Sequence, residues 1–188
     1  MQESFYYLSV LLAVVLGLAI TQVLLGLRGL ILTRAKVKLY QPTLIWAGLT
    51  LLIAIQGWWA NFSMRTEANW TFGALLVVIL QAIGVYMAAG LVLPDITGDA
   101  TIDLRDHYFA HKSWFFRALL ASLVFSVAKN LALYGHLPDR MNLAFHVFGG
   151  LMVTVAAITR REWFHKFLAP AFALVVLLYI SLLFARLR

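Results

Sequence analysis

Asp103, His107 and His111 recur at intervals of four residues, and on a helix that spacing puts all three on one face. Two imidazoles at i and i+4 can grip one divalent ion such as zinc, with the carboxylate one turn earlier as a further donor. Zinc centres take three or four protein ligands backed by an outer layer of hydrogen bonds. The set therefore falls short of a full site unless His165 joins it from another loop. The alternative is a polar, interfacial helix face beside Tyr108, Phe109 and Trp114.

A second constellation lies within long apolar stretches. At a rise of 1.5 Å per residue, His146 and Lys129 come to nearly the same depth, with Asn130 beside the lysine and Gln56 and Asn61 reaching that level from an earlier stretch. Ionisable groups in such surroundings are costly and mark function by default. Together these residues predict a polar pocket open to the outer surface and biased to anions or headgroup phosphate. In the competing reading Lys129 snorkels to the surface and His146 is a neutral, hydrogen-bonded packing residue. Gln22, Gln56 and Gln81 add one amide near mid-depth in each of the first three stretches. They should point inward, either as hydrogen-bonded glue between helices or as the lining of a polar path.

Other chemistries lack their residues. The chain has no cysteine, which excludes a disulfide framework, a thiolate zinc site, an iron–sulfur cluster and a cysteine nucleophile. Ser122 and Ser126 lack the glycine-flanked turn of an intramembrane serine protease, and only His146 lies inside a span, where a transmembrane haem wants paired histidines. Five histidines are too few for a histidine-rich membrane iron oxygenase. No Asp or Glu falls within a span, which argues against a carboxylate proton relay or sodium site. The expectation is a protein without a resident cofactor and leaning away from catalysis.

The elements that must position these residues follow from composition. Of 188 residues 63% are apolar and 12% charged, against roughly 45–50% and about 25% in soluble domains. A span needs about 20 apolar residues, and five charge-free stretches plus a sixth interrupted once by Lys129 give six spans in a single domain, at about 5–30, 42–63, 71–93, 113–135, 141–160 and 166–186. Strict alternation is absent, so a closed β-barrel is excluded and helices remain. The fold class is an all-α, polytopic transmembrane helical bundle. The start Met-Gln-Glu-Ser carries no basic region, so the first stretch reads as a retained helix rather than a signal peptide.

Placing both termini outside puts ten of the fifteen bases on the cytoplasmic side, including Arg28, Arg34, Lys36, Lys38, Lys112 and Arg160. Lys129, Arg65, Arg140, Arg186 and Arg188 then fall outside. The formal charge of +7 sits at helix ends, where orientation and anionic headgroups account for it, and nucleic acid is not expected as a partner. The expected partners are the lipid bilayer and, through small-residue faces such as Gly84/Ala88, a second copy or another membrane protein. The longest connection opens at Pro94 and is loosened by Gly98. Thr101 can then cap a cytoplasmic helical extension over 101–112. Phe72–Leu80 and Phe172–Leu178 match loosely, as an inverted three-plus-three repeat would. Asn61-Phe-Ser and Asn69-Trp-Thr fit the glycosylation pattern but crowd the membrane.

The segments Leu39-Tyr-Gln-Pro-Thr-Leu-Ile-Trp-Ala, Gln56-Gly-Trp-Trp and Asp103-Leu-Arg-Asp-His-Tyr-Phe-Ala-His-Lys-Ser-Trp-Phe-Phe resemble a group of small bacterial six-span membrane proteins. That resemblance implies a bacterial inner membrane and brings no activity or site residue. Function is expected to be a small-solute or ion pathway or a ligand-sensing module. The alternative is an accessory protein that binds lipid or a partner and transports nothing, and a membrane enzyme using the cytoplasmic histidines is a third class.

Overall fold

The computed structural model describes residues 2–66, 70–96 and 101–183. Asn69, Gly98, Arg186 and Arg188 lie outside the described residues. Six helices are formed: α1 (Gln2–Leu32), α2 (Gln41–Asn61), α3 (Phe72–Val92), α4 (Leu104–Tyr134), α5 (Arg140–Ile158) and α6 (Glu162–Leu183). All six are long and apolar enough to cross a membrane, and each falls on one expected span. The protein is an all-helical polytopic bundle.

Local chemistry sets the helix boundaries. Pro42 sits in the first turn of α2, where its missing N–H costs nothing. The Thr71 hydroxyl accepts from the Ala74 N–H at 3.1 Å and starts α3, and the Asp139 carboxylate accepts from Met141 and Asn142 to start α5. Gly135, at φ 71°, ends α4 in the left-handed conformation that glycine adopts without strain. At the other end of α4 the cap is Asp103 rather than Thr101. Its Oδ1 accepts from the N–H groups of Arg105 and Asp106, and a carboxylate is the stronger partner for a helix N-terminus. The helix accordingly begins at Leu104, and Ile102–Asp103 form a two-residue parallel strand, β2, with Val37–Lys38, β1.

That strand pair joins the connection after α1 to the one after α3. The ends of α1, α3 and α5 and the starts of α2, α4 and α6 therefore share one face, called here the basic face. The opposite face carries the start of α1 and the end of α6. Helix α3 packs on α1, α2 and α4, while α6 bridges α2 and α5. At 31 residues α4 is about 46 Å long, more than a hydrocarbon core needs. The extension expected over 101–112 is not a free rod, because Leu104, Tyr108, Lys112 and Phe115 lie on one side and are buried.

Backbone comes close to backbone between α3 and α4 at Gly84. A Cβ there would sit 3.0 Å from the Ser122 Cβ and 3.1 Å from both the Ala118 oxygen and the Ser122 nitrogen. Two of those atoms are backbone and cannot swing aside. Gly84→Ala should lower stability by about 1–3 kcal/mol through overpacking. Gly90→Ala, with nothing within 4 Å, should not. Thermal unfolding of the two variants in detergent checks the contrast, and equal melting temperatures would refute it.

Candidate functional site: a polar cavity and the network that closes it

The α4–α5 hairpin turns through Gly135 and the Asp139 cap, and Ser126 and His146 lie ten residues on either side of His136. The two side chains meet across the hairpin. His146 Nδ1–H donates to the carbonyl of Asn142 at 2.9 Å, since a carbonyl only accepts. In the neutral ring Nε2 then carries the lone pair, and the Ser126 hydroxyl donates to it at 2.9 Å. Tyr179 of α6 packs its ring 5.8 Å from that of His146 and donates to the Asn142 side-chain oxygen at 3.3 Å.

Ser126 and His146 form one wall of a cavity of about 120 Å³ to which all six helices contribute. Its other polar lining is Gln56 and Asn61 from α2, Gln81 from α3, Ser122 from α4 and Tyr179 from α6. The remaining walls are aliphatic or aromatic, among them Leu12, Val78, Val176 and Phe172. Among the described residues no charged side chain lines it. The lining runs from mid-depth, at Leu16, Leu119 and Phe172, toward the face where α1 begins and α6 ends.

Toward the basic face the bundle is filled. Trp46, fully buried, lies 5.5, 5.0 and 4.9 Å from the rings of Phe115, Phe116 and Phe172. Beneath it His165, also fully buried, donates from Nε2 to the Thr159 carbonyl at 2.9 Å and accepts at Nδ1 from the Tyr108 hydroxyl at 2.8 Å. Lys112 is 4% exposed, and its ammonium donates to the carbonyls of Ala156 (3.3 Å) and Ala157 (2.9 Å), with Ser113 adding a bond to Ala157. His107 Nε2 donates to the Leu91 carbonyl at 3.1 Å. Around this plug Arg105 pairs with Glu162 at 2.9 Å and Lys38 with Asp103 at 3.7 Å. Hydrogen bonds from the Asp106 and Arg105 N–H groups and the charge of Lys38 hold the Asp103 carboxyl below its usual range. Burial pushes the Tyr40 phenol up to about 12.

Gln56, Asn61 and His146, expected at one level, line the cavity together with the mid-depth Gln81. Gln22, Lys129 and Asn130 are not among its walls. The Asn130 amide donates to the Ser126 carbonyl at 3.1 Å. Lys129 is half-buried and makes no hydrogen bond or ion pair among the described residues. In the suggested metal set His111 Nδ1 donates to the His107 carbonyl, so His107 keeps only Nδ1 and His111 only Nε2 as lone pairs, and the two rings lie 4.5 Å apart. Asp103 is engaged in capping and with Lys38, and His165 has both nitrogens bonded elsewhere. Among the described residues no group of three or more His, Asp or Glu side chains is placed to hold a metal. Ser126 lacks a glycine-flanked turn, yet it meets His146 at 2.9 Å, and the sequence signal for that pairing is their equal distance from the α4–α5 turn.

Comparison with protein-family models, with curated proteins and with solved structures gave no match.

Two outcomes follow from these placements. Tyr108→Phe strips the donor from the fully buried His165 Nδ1, and should destabilise by about 1–3 kcal/mol in thermal or denaturant unfolding. Lys129→Met should stay within about 0.5 kcal/mol of the parent and leave the cavity's reactivity unchanged, because Lys129 is not part of its wall. Loss of folded protein in Lys129→Met would mean that the lysine ties helices together.

Proposed function

We propose that the protein is a membrane ligand-binding module, which takes a small uncharged molecule into the cavity from the face carrying the start of α1. The observation that carries this reading is the lining itself. Hydrogen-bonding groups from five helices converge in an apolar chamber that no charged side chain among the described residues lines, as in small-molecule sites that fix a ligand's orientation with a few polar groups. Gln56 and Gln81 make no hydrogen bond among the described residues and offer donors and acceptors to a guest. The filled basic face favours binding over a solute or ion pathway, since the Trp46 ring cluster and the bonded His165 stand where a path would continue.

The distribution of bases supports a cytoplasmic basic face and an outward-opening cavity, and the resemblance to small bacterial membrane proteins supports an inner-membrane location. The absence of cysteine makes the test direct. In intact cells Gln81→Cys should react with a small membrane-impermeant thiosulfonate applied from outside. Lys36→Cys should react only after the membrane is opened, and solute flux in proteoliposomes should stay at background. Reaction of Gln81→Cys only from the Lys36 side, or flux above background, would overturn the proposal.

A further inference from the structure

We infer that Ser126 is an activatable nucleophile in this cavity and His146 its general base, and that the site takes a neutral carboxylic ester with an aliphatic acyl group. The inference rests on the cavity's admitting a small guest, as proposed above. Its own ground is the direction of the hydroxyls. Thr21, Thr33, Thr50 and Thr154 donate back to the carbonyl four residues earlier, the usual habit of a helical hydroxyl. Thr43 and Ser113 cross to the backbone carbonyls of Leu104 and Ala157, whereas Ser126 crosses to α5 and donates to an imidazole nitrogen at 2.9 Å, a partner that can take its proton. The far nitrogen of that imidazole is held by the Asn142 carbonyl at 2.9 Å, which fixes the tautomer with Nε2 free to take a proton. A nucleophile in reach of a base that a third group orients is the signature of covalent catalysis. Both side chains line the cavity, so an acyl group can reach the serine.

The remaining lining suits one class of substrate. Without a charge to pair with a carboxylate or ammonium, the walls favour a neutral molecule, and Val176 and Leu12 suit an aliphatic chain. The amide groups of Gln56 and Gln81 are the donors available to a developing oxyanion. In the first step the Ser126 oxygen attacks the ester carbonyl carbon while its proton passes to His146 Nε2. The carbon–alkoxy bond then breaks, and the same proton goes to the departing alkoxide as the alcohol leaves. Water entering from the cavity mouth attacks the acyl-serine, gives its proton to His146, and releases the carboxylic acid as the serine oxygen is reprotonated.

A fluorophosphonate probe added to the purified, detergent-solubilised full chain tests this. The expected result is a single covalent adduct that peptide mass mapping assigns to Ser126, absent in Ser126→Ala. A general base contributes roughly 10²–10⁴-fold, so labelling in His146→Gln should slow by at least about 100-fold. Both variants should keep the parent's elution profile on size exclusion, and the parent alone should hydrolyse p-nitrophenyl butyrate. No adduct in the parent while Gln81→Cys still reacts with thiosulfonate would overturn the nucleophile and leave the binding cavity standing. No adduct together with an unreactive Gln81→Cys would overturn both. An adduct at a serine other than Ser126, or labelling undiminished in His146→Gln, would also overturn the inference.

Discussion

An α-helix leaves its last four carbonyls without partners, and near a hydrocarbon phase water cannot be relied on to supply them. In this bundle α4 provides for both of its neighbours. His107 reaches the Leu91 carbonyl in the last turn of α3, and Lys112 and Ser113 reach Ala156 and Ala157 in the last turn of α5. The ammonium of Lys112 also sits at the negative end of the α5 dipole, which rewards a cation there. These bonds need α4 close to α3, and the bare Cα of Gly84 allows that approach.

The division of the bundle into a filled half and a hollow half follows. Where α4 is fastened to its neighbours, Phe115 and Phe116 of α4 and Phe172 of α6 close around Trp46 of α2. Beyond Phe172 several of the residues facing inward are small or polar, such as Ala82, Gly149, Ser122 and Ser126, and the aliphatic side chains among them leave part of the cross-section unfilled. The polar groups left there bond across the hairpin, as Ser126 does with His146, or turn toward the space they fail to fill, as Gln81 does.

The span pattern was legible because most charge in this chain lies near span ends, with Lys129 the exception, and a charge-free interval needs no tertiary information to be read. The inward Gln56 and Gln81 were legible for similarly local reasons, whereas the cap expected at Thr101 lies two residues on, at Asp103. The partners were not. Lys112 counts as a loop base in a linear reading, yet its carbonyl partners lie 44 and 45 residues further on, and no local pattern announces them. Lys129 drew notice because an unpaired charge in an apolar run looks costly, but it stands outside the cavity wall. His146 could be placed by depth alone, whereas its pairing with Ser126 depends on the geometry of the turn at Gly135.

The short β1–β2 pair bears on how the chain is made. Val37 leaves the ribosome 65 residues before its strand partner Ile102, so the connection after α1 waits unpaired while α2 and α3 are delivered. The Leu91 carbonyl likewise stays open until His107 is synthesised. The first three helices can enter the bilayer one by one, but their packing is completed only when the start of α4 emerges and fastens both connections in a single step. Biogenesis of this bundle thus hinges on a late event at its midpoint, and a nascent chain halted before Asp103 would present an unfinished assembly to the cell's membrane quality control.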